Sequence, residues 1–257
     1  MTMRACYWMS SSLLVAAACV ACAKQEESAA PAPLPPLVLD CSFGGGAGAP
    51  STCLSPRQTP DYYVAQAQKY FDTLDNKADP NSQPVYSDLV ARWEWPPWLK
   101  LTGYTRQTIN DADKLVKVAT PSTVPTRDCK AFPVQPFARC HVSFQYKEGG
   151  CPIYEEFTFN DQGEMTFIEA WSEGPKSPGY GSDRWAEAPG VRRLSTRVPG
   201  LGNKTGRIDL DATWMQEAAR RDEELADFVV RARDFWGTWF AELREAGPGI
   251  FKAGCGW

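Results

Sequence analysis

The sequence predicts an α+β fold in which helices flank a short antiparallel sheet. Apolar residues recur at three- and four-residue spacing after Pro60, which indicates a helix. Residues 137–171 alternate between apolar and polar side chains around two glycine-containing turns, which indicates three antiparallel strands. A broad apolar stripe follows near the C-terminus. Hydrophobic residues make up 43% of the 257 residues, which is enough for one large domain.

Residues 1–21 have the features of a signal peptide. Arg4 provides the positive charge, and the apolar stretch that follows is too short to span a bilayer. Because the stretch ends in small residues before a cysteine, it resembles a bacterial lipoprotein signal, which is cleaved before a cysteine that is then acylated. Cys22, directly after Ala21, is the predicted lipidation site, and Cys19 is the alternative.

Residues 22–59 predict a tether between the lipid and the folded part. A proline-rich stretch is expected to be extended, and Gly44 to Gly46 to be flexible. Ala23 occupies the position after Cys22 where aspartate would be the inner-membrane retention signal of such lipoproteins. We therefore expect the chain in the cell envelope, anchored by lipid in the outer membrane and facing the periplasm. The membrane is thus its first predicted partner.

Three helices are predicted before the strands. The first begins at Pro60 and ends before Pro80, with one apolar face. A short second helix is expected from Tyr86 to Arg92, and it leads into the aromatic, proline-containing corner Trp93–Trp98. The third covers Thr108 to Val118. Together they provide the helical layer for the sheet.

The predicted strands run from 137 to 146, from 153 to 159 and from 164 to 171. Asp161–Gly163 fits a three-residue hairpin loop with Gly163 in the left-handed region. That loop sets a register with Phe159 opposite Met165, Phe157 opposite Phe167, and Glu155 opposite Glu169. One face of these strands is therefore expected to be apolar apart from the two glutamates.

The C-terminal part divides into two predicted segments. Residues 176–208 are rich in glycine and proline, and the sequence assigns no regular structure to them. Residues 209–257 are predicted to form one long helix, from about Ala212 to Glu245, and a tail. Its stripe packs on the body or, because of Trp236, Trp239 and Phe240, contacts an envelope protein partner.

Cysteine usage agrees with export from the cytoplasm. Six cysteines remain once the signal is removed and the lipidated residue is set aside, and an even number predicts disulfides. Cys41 and Cys53 form one expected pair, while the other pairings stay open. No Cys-x-x-Cys motif occurs and His141 is the one histidine, so no metal site is predicted. The disulfide candidates are Cys41, Cys53, Cys129, Cys140, Cys151 and Cys255.

Composition and motifs exclude several functions. The formal net charge is -4, which gives no basic surface for nucleic acid. The fragment Gly200–Thr205 lacks the glycine directly before lysine that a phosphate-binding loop needs, so it is not a nucleotide site. We therefore predict no cofactor and no nucleic-acid partner.

The order of elements from residue 60 to residue 175 resembles the NTF2-like superfamily, in particular its SnoaL-like branch. The resemblance lies in Trp93–Pro97, in Gly103 ahead of the third helix, and in the hairpin from Glu155 to Glu169. It implies a cone in which helices cover a strongly curved sheet around a deep apolar pocket. Some members are isomerases, dehydratases or hydrolases that use pocket carboxylates, and many others bind ligands or partners.

Glu155 and Glu169 are the candidate catalytic residues. Two carboxyl groups side by side on an apolar face would share a proton, which proton transfer in a pocket requires. The alternatives are a hydrated position at the rim, or an ion pair with Arg192 or Arg193. Large residues are expected to line the pocket or to fill the core: Trp93, Trp95, Val142, Phe157, Phe167 and Trp171.

The leading hypothesis from sequence is a lipid-anchored, noncatalytic module that binds a small apolar ligand or an envelope protein. The second hypothesis is a SnoaL-like isomerase, dehydratase or hydrolase that uses Glu155 and Glu169. The third is a structural envelope component that docks through Trp236–Phe240.

Overall fold

The computed structural model describes residues 57–94, 102–133, 135–172, 194–195, 197–198 and 208–246. All of them belong to the unit Leu37–Trp257. Within these ranges no helix is both long and apolar enough to cross a membrane. The following predicted features lie outside the described residues: the signal peptide, nearly all of the tether, Cys19, Cys22, Cys41, Cys53, Trp95, Arg192, Arg193, Cys255 and most of 176–208.

The predicted α+β class is confirmed, and the described residues form six strands in one curved sheet and five helices. The strand order is β2-β1-β6-β5-β4-β3, and β1 runs parallel to β6 while the other neighbours are antiparallel. The predicted three-stranded unit is β4–β5–β6, and it occupies the centre and one half of the sheet. The strands are β1 Tyr86–Glu94, β2 Gly103–Tyr104, β3 Thr123–Ala131, β4 Ala138–Gln145, β5 Gly150–Phe159 and β6 Met165–Ser172.

Two groups of helices lie on opposite sides of the sheet. We call the face under α1 and α2 the inner face, where Tyr70 and Ile109 pack on Phe157 and Ile168. The outer face is covered by α3, α4 and the segment around Leu194. Because both faces are covered, the central strands are buried on both sides. The helices are α1 Pro60–Asp72, α2 Arg106–Ala119, α3 Thr213–Ala219, α4 Glu223–Arg233 and α5 Phe235–Ala246.

The first and third predicted helices are confirmed as α1 and α2. Thr59 caps α1, since its Oγ1 accepts a hydrogen bond from the Tyr62 amide (3.3 Å), and Pro60 occupies the first turn. Thr105 caps α2 in the same way, accepting from the Thr108 amide at 3.3 Å. Both helices therefore begin after a threonine cap, which the sequence analysis did not identify.

The predicted helix from Tyr86 to Arg92 is wrong, because this segment is strand β1. It pairs with β6 on one side and with β2 on the other. Val90 and Arg92 point to the inner face while Ala91 and Trp93 point to the outer one, and all four are buried. Burial on both faces removes the alternation that identifies a strand in a sequence.

The single long C-terminal helix is also wrong, since three helices replace it. Two aspartates make the breaks by capping the next helix. The Oδ1 of Asp222 accepts from the Glu224 and Leu225 amides (3.1 and 3.2 Å), and that of Asp234 accepts from Gly237 (3.2 Å). The second break lets α4 pack on the outer face while α5 packs on α2.

Strands β3 and β4 are joined by a disulfide between directly paired residues, Cys129 and Cys140. It is one of the pairings that the sequence left open. Cys151 is disulfide-bonded as well. The predicted use of cysteines in disulfides therefore holds for all three described candidates.

The register of β5 and β6 starts as predicted and then shifts. Phe159 pairs with Met165, but a bulge places Thr158 opposite Phe167, so Thr166 is an extra residue in β6. The Thr166 hydroxyl donates to the Thr158 carbonyl (3.2 Å). Every later pair is shifted by one residue, and a shift of one exchanges the faces of β6 relative to β5.

Candidate functional site

A cavity lies on the inner face, between the sheet and helices α2 and α5. It holds about 60 Å³ of interior space within an envelope of about 660 Å³ that includes its open mouth. The interior accepts a few water-sized groups, and the cavity opens to the solvent. The apolar lining is Leu74, Val116, Ala119, Phe144, Cys151, Ile153, Trp239 and Leu243. The polar lining is Glu94, Thr120, Ser122, Tyr146 and Glu155.

Two carboxyl groups in this lining lie in one row across three strands. Ala170 of β6 pairs with Glu155 of β5 on one side and with Glu94 of β1 on the other. Neighbouring strands are about 4.8 Å apart, so the two glutamate Cα atoms are about 10 Å apart. Since Ala170 contributes only a methyl group between them, both side chains reach the same cavity.

Glu155 is buried in a largely apolar wall. It is 1% exposed, and its Oε2 has no hydrogen-bond partner among the described residues. Burial raises the pKa of Glu155 well above its usual range, and the negative charges of Glu94 and Asp113 raise it further. Arg92 and the Tyr70 hydroxyl act in the opposite direction but do not cancel the effect. The fold therefore favours the protonated form of this side chain.

The basic group that lowers the pKa of Glu155, Arg92, is already paired with another carboxylate. Arg92 is fully buried, and its Nη1 lies 2.6 Å from the Asp113 Oδ1 and 3.2 Å from the Tyr70 hydroxyl. The Thr73 hydroxyl donates to the other oxygen of Asp113 (2.8 Å). This network joins the C-terminal end of α1 to α2 and β1 on the inner face, and it fixes Arg92 beside Asp113.

Aromatic rings form much of the remaining wall. Tyr146 stacks on Phe144 with ring centroids 6.4 Å apart, and Trp239 approaches from α5. Burial raises the pKa of the Tyr146 hydroxyl, and Glu94 and Glu155 raise it further. The hydroxyl therefore keeps its proton and remains a hydrogen-bond donor near the two carboxyl groups.

Glu169, the second predicted catalytic residue, lies on the outer face. The bulge in β6 pairs it with Glu156, whereas Glu155 pairs with Ala170. The Glu169 oxygens accept hydrogen bonds from the backbone amides of Leu194 (2.6 Å) and Ser195 (3.0 Å). The predicted contact between Glu155 and Glu169 is therefore wrong. Glu169 instead holds the segment around Leu194 against the sheet.

The predicted pocket residues are core residues in the structure. Trp93, Phe167 and Trp171 lie on the outer face, and Trp93 packs edge-on against Phe228 of α4 (6.2 Å between centroids). Val142 and Phe157 lie on the inner face, in the core beside the cavity. None of these five lines the cavity described here.

Sequence reasoning missed Glu94, Tyr146 and the contribution of α5. Glu94 was missed because it was expected in the aromatic corner after a helix, whereas it is the last residue of strand β1. Trp239 and Leu243 have the four-residue spacing of one helical face, which was the available signal. Across the described ranges, no group of three or more histidine, cysteine or acidic residues has an arrangement that could hold a metal ion.

The aromatic surface predicted to contact a partner is divided by the fold. Trp239 is 3% exposed and faces the cavity, while Trp236 and Phe240 are 37% and 43% exposed. The exposed rings stack on each other at 5.8 Å. An envelope protein at this surface stays a prediction.

No family model and no curated protein matches this chain. Among solved structures, a putative isomerase of the SnoaL-like family from Agrobacterium tumefaciens is 12% identical, with a TM-score of 0.35; the match covers 44% of this chain and 99% of that one. A putative ketosteroid isomerase from Kribbella flavida is 16% identical, with a TM-score of 0.37. The match covers 50% of this chain and 90% of that one. A de novo designed protein with a curved β-sheet is 8% identical, with a TM-score of 0.34. The match covers 45% of this chain and 88% of that one. Similarity at this level assigns no activity to this chain.

Proposed function

We propose that this chain is a lipid-anchored binding module of the bacterial cell envelope, and that its inner-face cavity takes a small, largely apolar ligand without transforming it. The observation that carries the proposal is the cavity itself. Eight of its thirteen described lining residues are apolar, and the polar ones include Glu155, Glu94 and Tyr146. Such a lining is typical of small-molecule sites, in which a few polar groups fix the orientation of an apolar ligand.

Anchoring is proposed from the sequence around Cys22. The apolar stretch before it, the small residue Ala21 and the polar residues after Ala23 match a lipoprotein signal. The tether of residues 22–59 would place the folded part away from the membrane surface. Ala23 supports an outer-membrane position facing the periplasm.

We prefer a noncatalytic role because Glu155 and Glu169, the predicted catalytic pair, lie on opposite faces of the sheet. Proton transfer by Glu155 and Glu169 would need both carboxyl groups in one pocket, and the sheet separates them. Both oxygens of Glu169 are already occupied by backbone amides. A second acid or base would have to be Glu94, on the far side of Ala170.

An isomerase, dehydratase or hydrolase that uses Glu155 is the second candidate. It is favoured by one observation, the raised pKa of a carboxyl group in the wall of an apolar cavity. This candidate predicts that a bound molecule is chemically altered. The binding module predicts that the same molecule is recovered unchanged.

Native mass spectrometry of the processed chain, isolated from its own host in mild detergent, tests both. A retained small molecule is expected with wild type and with the control Val118→Phe, since Val118 is 78% exposed on α2. The neighbouring Ala119→Phe places a ring in the lining and should abolish retention. Equal retention by both variants would show that the retained molecule does not bind in the cavity. Recovery of the ligand together with a conversion product would favour the enzyme.

A further inference from the structure

The cavity presents acidic groups to a ligand without any basic group. Glu94 and Glu155 are in its lining, and no lysine, arginine or histidine is among the described residues that line it. Glu155 is 1% exposed, and its Oε2 finds no hydrogen-bond partner within the described part of the chain. A buried polar atom in this state is stabilised when a ligand supplies the missing partner.

The described titratable groups that act on Glu155 come from strand β1, from helices α1 and α2, and from the turn after β4. They are Glu94, Arg92, Tyr86, Tyr70, Asp113 and Tyr146. Arg92 is the one cation among them, and its Nη1 lies 2.6 Å from the Asp113 Oδ1. Because Arg92 is already paired with Asp113, an ammonium group in the cavity would supply the positive charge that Arg92 offers Glu155 only in part.

The rest of the lining suits a cation that is attached to an apolar body. Phe144, Tyr146 and Trp239 present aromatic rings, which attract ammonium groups through their faces and pack against apolar groups through their area. An anionic ligand would be repelled by the acidic groups. A neutral ligand could pack on the rings and donate a hydrogen bond to Glu155, but it would carry no positive charge to favour the carboxylate.

We propose that the ligand class of this cavity is a cationic amphiphile, an organic amine whose ammonium group binds between Glu155 and Glu94 while its apolar body packs on Phe144, Tyr146 and Trp239. This inference rests on the proposed function, that the cavity binds a small molecule. It specifies the charge of that molecule, which the proposed function leaves open.

Binding of a cation should change the protonation of Glu155, and this change can be measured as proton release. In the empty cavity Glu155 keeps its proton, because burial and the neighbouring charges of Glu94 and Asp113 disfavour the carboxylate. An ammonium ion that arrives already protonated favours the ionised form, so the Glu155 proton leaves to the solvent as the ion pair forms. At a pH between the ordinary glutamate pKa and the raised pKa of Glu155, up to one proton should be released for each amine bound, and none for a neutral ligand.

Isothermal titration calorimetry on the processed, lipidated chain in detergent micelles measures both affinity and proton release. The probes share one ring system and differ in charge: 1-naphthylmethylamine, 1-naphthalenemethanol and 1-naphthoate. Each is titrated in two buffers with different ionisation enthalpies, and titrations into empty micelles are subtracted. The amine should bind about tenfold more tightly than the alcohol, and the acid should be the weakest.

Glu155→Gln should remove both the preference for the amine and the proton release, while affinity for the alcohol is kept. Glu148→Gln is the control, because it makes the same change of charge at an exposed residue of the β4–β5 turn. Proton release by wild type tests the inference even if Glu155→Gln fails to fold. Equal affinity for amine and alcohol without proton release would overturn the cationic ligand and leave the proposed function standing. No binding of any probe would count against the proposed function itself.

Discussion

Glu94 and Glu155 lie on either side of Ala170 in one row of the sheet, on strands that are neither adjacent in space nor close in sequence. Their relationship depends on the parallel pairing of β1 with β6, which no local pattern in the sequence reveals. It replaces the predicted pair of Glu155 with Glu169. Of these two glutamates, Glu155 lies on a strand that the sequence predicts, whereas Glu94 lies on β1, which was predicted to be a helix followed by an aromatic corner.

Glu155→Gln should change the pH dependence of stability. The folded-state pKa of Glu155 is raised, so its contribution is fully present below the unfolded-state pKa and is lost as pH rises towards the folded-state value. Within that window wild type should lose about 1.4 kcal/mol of unfolding free energy per pH unit relative to the variant. Urea unfolding of both proteins across acidic to neutral pH measures this. A difference that does not change with pH would contradict the burial of an unmatched carboxyl group.

Glu169→Gln should destabilise the fold by about 2–3 kcal/mol, because an amide cannot accept both backbone hydrogen bonds that the carboxylate accepts. The two bonds come from the Leu194 and Ser195 amides. Urea unfolding near neutral pH gives the change, and Glu155→Gln is the matched substitution on the other face. Ligand binding by a folded Glu169→Gln protein should equal that of wild type. A loss of ligand binding by the folded variant would show that Glu169 contributes to the binding site.

The buried pair Arg92–Asp113 should behave as one unit. Asp113→Leu leaves the buried Arg92 guanidinium without its carboxylate, and Arg92→Met leaves the buried Asp113 carboxylate without its cation. The free energy of unfolding of each single variant should therefore fall by about 3–5 kcal/mol. The double variant should lose clearly less than the sum. A double-mutant cycle by urea unfolding measures the coupling, and additive losses would show that the two side chains act independently.

Removal of the disulfide between Cys129 and Cys140 should lower stability moderately. The two residues are 11 positions apart, and closure of such a loop contributes about 2–3 kcal/mol through the unfolded state. The variant Cys129→Ala/Cys140→Ala is compared with wild type by urea unfolding under oxidising conditions. In the presence of a reductant the difference between the two proteins should shrink. An equally large difference there would point to packing of Cys140 as its cause.

Cys22→Ala should abolish lipidation. Incorporation of labelled palmitate in a bacterial host, followed by separation of membrane and soluble fractions, measures both acylation and location. Cys19→Ala is the control and should keep the label. Reversal of the two results would assign the lipid to Cys19, and labelling of both variants would exclude either cysteine as the single acylation site.

Local rules predicted the elements that depend on local contacts. Helices α1 and α2 formed in the predicted segments, and Gly163 adopts a positive φ of 80° in the β5–β6 loop, as predicted. The three strands of the central unit were also found. These features depend on residues only a few positions apart, so their physical causes are visible in the sequence.

Long-range contacts decided the parts that were predicted wrongly. Tyr86–Glu94 is a strand because two neighbouring strands satisfy its backbone, and the C-terminal stripe is divided because α4 and α5 pack on different surfaces. Thr166 creates a bulge whose effect on every later side chain depends on the pairing strand. None of these causes is contained within one segment.

The sequence by itself determined the α+β class, the two covering helices α1 and α2, the hairpin loop and the presence of a carboxyl group among apolar residues at Glu155. Only the tertiary structure decided which carboxyl group shares its cavity. A register shift of one residue moves a side chain to the opposite face of the sheet. A single bulge residue produces such a shift and thereby changes the contacts of every side chain that follows it in the strand. The fold class thus follows from periodicity, whereas the site follows from register.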